Sequence, residues 1–273
     1  MNRDADGNLL QLGEHLYSVL SEDGYLYITG YGDMYNFTSS PFKNPKLIKT
    51  VELDDQDDEE DEETDPPKPR RYITSIGDHV FDGASNLTAI YTSNKIRRIG
   101  NYAFRNCSAL EGFRYGGPDD TSNELLLPAD LQYIGNSAFE NCDSANFGDV
   151  VVSSLVTYIG SKAFRNCKNI TSVDVSGSVG TLGGEAFSDC ESMTSAVIHD
   201  GVNEIGQYVF GECKSLESLT IPYAGNALAA ANDGTAEPVY SWFFNGNYSP
   251  AGYYKANKHG IPNQKPCIGC SCG

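Results

Sequence analysis

The sequence predicts an α/β solenoid that is mostly β: a right-handed array of about six 23-residue rungs between a β-rich N-terminal cap and an irregular C-terminal cap. The first observation behind this prediction is a nine-residue phrase, such as "IGNYAFRNC", that occurs six times. The second is the spacing of its glycines, which are 23, 35, 25, 23 and 23 residues apart. These glycines are Gly77, Gly100, Gly135, Gly160, Gly183 and Gly206. A period in the twenties is typical of a solenoid, in which each rung buries its apolar face against its neighbours.

Each rung is expected to contain a turn and a strand. Segments such as "ITSVDV" and "LESLTI" follow the phrase and have the apolar spacing of a half-buried strand. The glycine is expected to take a positive φ angle, as at Gly206. The phenylalanine and the cysteine are expected to form ladders along the axis, because stacked strands lie about 4.8 Å apart. The predicted core residues are Phe81, Phe104, Phe139, Phe164, Phe187, Phe210, Cys107, Cys142, Cys167, Cys190 and Cys213.

The phrase and its strand together resemble the BspA-type leucine-rich repeat, whose units read approximately I-G-x-x-A-F-x-x-C-x-x-L-x-x-V-x-I. The resemblance covers residues 72–222, which are predicted to form the solenoid. Three departures from the repeat pattern are expected to alter the solenoid locally. Residues 143–152 lack the expected leucine, which predicts a distorted or shifted strand, and residues 116–128 are predicted to bulge as a loop. Ala84 replaces the cysteine in the first copy.

The segments outside the repeats are expected to be caps and an insertion. Residues 1–53, which contain "YLYITG" and "LIKTVEL", are predicted to form a β cap or first rung. Residues 54–71 are predicted to be a mobile acidic insertion, because eleven of the fourteen residues from Glu52 to Asp65 are acidic. A weak site for calcium or a basic partner is the alternative. Residues 223–273 are predicted to form the C-terminal cap, with an aromatic sugar-binding platform as the alternative, and a tail containing cysteines.

The sequence contains no pattern for catalysis, so we predict no enzymatic activity, no cofactor and no metal site. The cysteines of the repeats are expected to be buried free thiols, because inward side chains that point in parallel rarely adopt disulfide geometry. Cys267, Cys270 and Cys272 form a second group that could bind a thiophilic metal or oxidise. His79 and His199 are expected to face solvent.

The residues that differ between copies are expected to specify a partner, because the repeated ones are needed in the core. On the strands, the candidates are Thr88, Tyr91, Glu111, Arg114, Tyr115, Thr171, Asp174, Thr194, Glu217 and Thr220. In the copy "IGNYAFRNC", the residues Asn101, Tyr102, Arg105 and Asn106 are likewise expected to be available to a partner.

The family resemblance implies a secreted or cell-surface adhesin that contacts matrix or surface proteins of a host or of neighbouring cells, with glycans as a further ligand class. The alternatives are a spacer that displays other surface domains and, third, a glycan-binding or glycan-hydrolysing module. A net charge of −18 argues against nucleic acid as a partner. We expect a monomer that does not insert into a membrane, since no apolar run is long enough to span one, and the chain opens without a leader segment.

Overall fold

The computed structural model describes residues 10–55, 72–92, 95–114, 127–143 and 147–221, together with the backbone of residues 253–256. Most of the predicted acidic insertion and of the predicted loop at 116–128 lie outside these residues, as do the tail cysteines. Within them the chain forms a parallel β-solenoid of about seven turns, so the mostly β prediction is confirmed. The helix that the structure describes is a single 3-10 turn, Pro45–Leu47.

Each rung has three sides. The first side is a long strand that corresponds to the predicted strand segment. In chain order these long strands are β3 (Thr50–Asp55), β5 (Ala89–Tyr91), β7 (Gly112–Arg114), β9 (Gly148–Val152), β11 (Ile170–Val175), β13 (Ser195–Ile198), β15 (Ser218–Ile221) and β16 (Tyr253–Ala256). Each pairs in parallel with the equivalent strand of the next rung, except that the row is divided between β7 and β9.

The second side is a short strand that ends immediately before the glycine of the phrase. These short strands are β4 (Ile73–Ile76), β6 (Arg98–Ile99), β8 (Tyr133–Ile134), β10 (Tyr158–Ile159), β12 (Thr181–Leu182) and β14 (Glu204–Ile205). They form one parallel row without a break. The row stays continuous past the insertion because β6 pairs directly with β8, which places Arg98 opposite Tyr133.

The third side is a turn formed by the phrase itself, and its backbone is bonded to the next rung. Ser137, Phe139 and Asn141 donate their N–H groups to the carbonyl oxygens of the following turn at 2.8, 2.7 and 2.9 Å. Ser137 and Asn141 have φ angles of 52° and 64°. The left-handed conformation is therefore taken by residues two and six places after the glycine, and the inter-rung bonds stabilise it there.

The prediction of a positive φ angle at Gly206 is wrong. The structure requires this glycine for close approach, because a Cβ atom there would lie 2.7 Å from the carbonyl carbon of Gly183 in the preceding rung. Gly100, Gly135, Gly160 and Gly183 are stacked on the preceding turn in the same way, whereas Gly77 approaches the backbone of Tyr35, and none of their φ angles is positive. The conserved spacing of the phrase therefore reflects contact between turns.

The predicted core is confirmed. The phrase phenylalanines are fully buried and stack ring on ring, with centroids 5.1 Å apart between Phe139 and Phe164. The five repeat cysteines are buried free thiols, and each thiol donates to the carbonyl oxygen of the phenylalanine in the preceding rung, as in Cys167 to Phe139 at 3.1 Å. Ala84 is also fully buried, in the place of the missing cysteine. These contacts couple each rung to the next.

The predicted distortion after Cys142 is also present. Strand β9 pairs with β11 with a register shift between Ile170 and Ser172. Phe147 is buried and contacts Phe139 edge to face at 6.0 Å. A larger apolar residue thus fills the space of the expected leucine from a later position in the chain.

An antiparallel hairpin lies across the N-terminal end of the array. It consists of β1 (Leu10–Leu20) and β2 (Tyr25–Met34). The first part of β2 pairs with β3 of the long row, and its last part pairs with β4 of the short row. One long strand thus closes the end of both rows. Within the described residues there is no helix long and apolar enough to cross a membrane.

Candidate binding surface

The outward surface of the long strands and of the hairpin is called the strand face. Side chains alternate across these strands, so Val150, Val173 and Ala196 are buried while their neighbours point outward. The strand register aligns the outward residues into two columns. One column contains Asp149, Ser172, Ser195 and Ser218, and the other contains Val151, Asp174, Val197 and Thr220. Val151, on the edge strand β9, is 66% exposed and gives this polar surface an apolar residue at one end.

Five of the predicted partner-binding residues come together on this part of the strand face. Asp174 and Thr220 lie in the column of Val151. Thr171, Thr194 and Glu217 form a third, exposed column at the start of the strands, in which Thr194 donates its backbone N–H to the carbonyl oxygen of Thr171, and Glu217 to that of Thr194, both at 2.8 Å. The sequence therefore predicted a contiguous surface here.

Tyr91 is the predicted partner-binding residue that the structure contradicts. It points along the strand face but is only 8% exposed. Its register neighbours are Glu52 on one side and Arg114 on the other, both of which have long side chains. Tyr91 is therefore not available to a partner.

The other predicted residues of the N-terminal half are engaged within the chain or lie outside the description. Thr88 is half-buried and donates its hydroxyl to the carbonyl oxygen of Lys49 at 3.0 Å. Arg114 donates to Glu111 at 2.7 Å, and its side chain is 14% exposed. Tyr115 lies outside the described residues. This half of the predicted set is thus less available to a partner than the C-terminal half.

The sequence analysis missed a row of tyrosines on the hairpin, formed by Tyr17, Tyr25 and Tyr27 and called the tyrosine row here. All three point outward, and Tyr17 is 43% exposed. Tyr25 donates its hydroxyl to Glu52, and Tyr27 donates its hydroxyl to Asp54, on the neighbouring strand. The signal was present in the sequence, since the alternation of "GYLYITGY" places its tyrosines on one face of a strand.

Hydrogen bonds set the protonation of these groups. The bond to Asp54 raises the pKa of Tyr27 to about 12, and burial together with Glu52 raises the pKa of Tyr25 further. Bonds from Ser172 and Thr171 lower the pKa of Asp149. The tyrosines therefore stay neutral donors at physiological pH, while Asp149 stays an ionised acceptor.

The turn face is the outward surface of the phrase, and its polar residues form hydrogen bonds between adjacent rungs. Asn101 accepts a bond from the backbone N–H of Asn136 at 2.8 Å and donates to Asp78 at 2.9 Å. Asn141 donates to Asn106 at 2.9 Å. The prediction that Asn101 is available to a partner is therefore wrong, because its half-buried side-chain amide bonds adjacent rungs to each other. Asn106 also bonds across rungs but remains exposed, as predicted.

Charged and aromatic side chains of the same turns are also engaged. Arg105 donates to Asp82 at 2.6 Å and lies over the ring of Tyr102 at 4.7 Å. His79 contacts Asp82 at 3.0 Å and stacks on Tyr102, so the prediction that His79 faces solvent is wrong. His199 is half-exposed, as predicted, and bonds to Asp174 of the strand face at 2.8 Å.

The histidines of the repeats each pair with one carboxylate, His79 with Asp82 and His199 with Asp174. No group of three or more His, Cys, Asp or Glu residues in the part of the chain that the structure describes could hold a metal ion. The thiols of Cys107, Cys167 and Cys190 have pKa values raised well above the ordinary value, mainly by burial, so they remain protonated. The described surface offers hydrogen-bonding groups, apolar side chains and aromatic rings, among them Val151 and Tyr17.

Comparison with known proteins agrees with this architecture. The family model described as the BspA type leucine rich repeat region matches six copies over residues 68–117 and 119–229. A leucine-rich repeat protein from Bacteroides ovatus ATCC 8483 has a similar structure, with a TM-score of 0.54 and 20% identity, over 78% of this chain and 53% of that one. This chain therefore spans about half the length of that relative.

A second similar structure is the leucine-rich repeat protein of T. pallidum, with a TM-score of 0.52 and 20% identity, over 84% of this chain and 97% of that one. At this identity both likenesses concern the fold. A search of curated proteins finds no match by sequence. The family model covers more than half of the residues, and the chain belongs to the BspA-type leucine-rich repeat family.

Proposed function

We propose that the protein is a non-enzymatic, secreted or cell-surface binding protein, an adhesin that contacts matrix or surface proteins of a host or of neighbouring cells through its strand face. Membership of the BspA-type family supports a surface or secreted location. The solenoid supplies a rigid, extended surface whose core residues are fixed by stacking. Partner specificity then depends on the outward residues alone.

The observation that carries this proposal is the composition of the strand face. Val151 is exposed beside Asp174 and next to the column that begins with Asp149, and protein interfaces combine exposed apolar residues with polar neighbours in this way. The tyrosine row adds rigid amphipathic side chains, which are common at protein-binding surfaces. The turn face, in contrast, uses its polar groups for bonds between rungs.

The test is binding of the purified chain to immobilised matrix proteins and to epithelial cells at physiological salt. We expect saturable binding that competes with unlabelled chain. The absence of saturable binding, even at low ionic strength where charge contacts are strongest, would favour a spacer that displays other domains.

A glycan-binding or glycan-hydrolysing module is the remaining alternative, and the tyrosine row is the feature that favours glycan binding, because sugars stack on aromatic rings beside carboxylates. A glycan panel distinguishes it from protein adhesion. Binding to protein-free glycans that is lost in Tyr17→Ala would replace the adhesin proposal by this one. Reproducible turnover that a single carboxylate substitution abolishes would instead identify an enzyme.

A further inference from the structure

The short-strand face, the outward surface of the short strands, carries a column of aligned side chains. The register of the parallel row places one outward residue of each rung directly beside that of the next. The column contains Ser75, Arg98, Tyr133, Tyr158, Thr181 and Glu204. It lies on a different side of the solenoid from the strand face.

One end of this column shows how the chain itself binds a guanidinium group. The Cζ atom of Arg98 lies 4.8 Å from the ring centroid of Tyr133, and its Nη2 atom lies 3.1 Å from Oδ1 of Asp78. Tyr133 in turn stacks on Tyr158 with centroids 4.7 Å apart and planes 5° from parallel. The order along the axis is therefore carboxylate, guanidinium, ring, ring.

The other end of the column has the ring and the carboxylate without the guanidinium. The second face of Tyr158 is turned toward Thr181, whose side chain ends at its γ atoms and is too short to cover the outer part of the ring. The next residue, Glu204, is exposed and accepts a bond from the Thr181 hydroxyl at 3.1 Å. The position between Tyr158 and Glu204 is therefore flanked by a tyrosine ring and a carboxylate, as Arg98 is, but in the reverse order along the axis.

We propose that Tyr158, Thr181 and Glu204 form a docking position for an arginine side chain of a partner protein, whose guanidinium stacks on Tyr158 and pairs with Glu204. A planar guanidinium suits the space of one missing ring better than a lysine ammonium does. The chain's net charge of −18 favours a basic partner in general, and Tyr158 makes the position selective for arginine. Because this position is not part of the strand face, its failure would leave the adhesin proposal unchanged.

The first test uses N-acetyl-arginine amide and N-acetyl-lysine amide as probes, titrated into the full chain at physiological salt and followed by ligand-observed NMR. Each probe carries a single side-chain charge, so attraction to the acidic run is the same for both. We expect the arginine probe to bind more tightly, and Tyr158→Ala to weaken it about two- to fivefold, the usual range for an exposed cation–π contact. Tyr208→Ala removes an exposed tyrosine of the turn face and should leave the affinity unchanged. Equal binding of the two probes, or equal effects of the two variants, would overturn the proposal.

The second test uses a substitution that places an arginine of the chain itself between Tyr158 and Glu204. Thr181→Arg carries its side chain between Tyr158 and Glu204 and should block the arginine probe, whereas Thr181→Ser should not. Thr181→Arg should also raise the melting temperature in the wild-type background but not together with Tyr158→Ala. Undiminished probe binding by a folded Thr181→Arg variant would show that the guanidinium binds elsewhere and that the proposal is wrong.

Discussion

Gly160 lies where two turns of the solenoid come into direct contact. A Cβ atom on this residue would lie 2.5 Å from the backbone nitrogen of Asn136 and 2.6 Å from the carbonyl carbon of Gly135. Both neighbours are backbone atoms that are bonded into the adjacent rung, so neither can move aside cheaply. The smallest side chain is therefore too large at this position, although its φ angle is ordinary.

Gly160→Ala is therefore expected to lower the free energy of unfolding by about 1–3 kcal/mol, the usual cost of overpacking. Gly180→Ala is the matched control, because a Cβ atom there meets only the carbonyl oxygen of Thr157 at 3.4 Å, an ordinary contact. Urea denaturation of both variants measures the difference. Equal stabilities would show that rung contact does not explain the repeated glycine.

The buried thiols lead to a second prediction at this scale. Burial raises the pKa of Cys167 and Cys190 well above the ordinary value, and the thiolate is the form that reacts. The five repeat cysteines should resist iodoacetamide at pH 8 in the native protein and react fully after unfolding. Site-resolved mass spectrometry measures this, and native alkylation at the unfolded rate would contradict the buried thiol ladder.

At the scale of the element, the turn is held by side-chain ladders as well as by its backbone. Asn101 satisfies the backbone N–H of Asn136, and Asp78 satisfies that of Asn101 at 2.8 Å. The turn geometry leaves these two backbone N–H groups without a carbonyl acceptor, and a side-chain oxygen of the preceding rung accepts the bond instead. A buried donor without a partner costs about 1–3 kcal/mol.

Asn101→Ala is expected to cost a similar amount, about 1–3 kcal/mol, because it leaves the N–H of Asn136 without its acceptor. Asn203→Ala, at an exposed position in another rung, should change stability by less than about 0.5 kcal/mol. Thermal and urea denaturation compare the two. A large loss of cell binding by Asn101→Ala without a loss of stability would restore this residue as a partner contact.

The hairpin gives a prediction about alkaline pH. The pKa of Tyr27 is raised to about 12, above the value of about 10 for an unfolded tyrosine. The folded state therefore holds this proton more tightly, and the resulting stability is complete below about pH 10 and is lost as the pH rises through 12. The stability advantage of the wild type over Tyr27→Phe should shrink between about pH 10 and 12 in urea denaturation, whereas a constant difference would contradict the bond to Asp54.

The sequence predicted the elements that depend on repetition and missed those that depend on contacts between rungs. The spacing of Phe104 and Cys107 predicted a buried ladder because each place recurs at one period. The burial of Tyr91 could not be predicted in the same way, since it depends on which side chains flank it across strands that are distant in sequence. The roles of Asn101 and Asn106 were hidden because variation between copies suggested free surface, although several polar residues can form the same inter-rung bond.

At the scale of the whole molecule, the three sides of the solenoid have different tasks. The turn face binds rung to rung through backbone and amide bonds, and the short-strand face stacks Arg98, Tyr133 and Tyr158 along the axis. The strand face is left with exposed groups, among which Val151 and Asp174 are adjacent across the rows. Partner binding should therefore be sensitive to substitutions on the strand face and tolerate substitutions of exposed residues on the turn face.

The central claim is tested most directly by comparing two double variants in one cell-binding assay. Val151→Ser with Asp174→Asn alters adjacent apolar and acidic positions of the strand face, and Tyr208→Ser with Glu191→Gln alters two exposed positions elsewhere. We expect the first to weaken saturable binding at least about tenfold, since a few central residues dominate most interfaces, and the second to leave it unchanged. Both must retain the wild-type melting temperature to be compared. Equal binding by the two folded variants, or a loss confined to the second, would contradict the assignment of adhesion to the strand face.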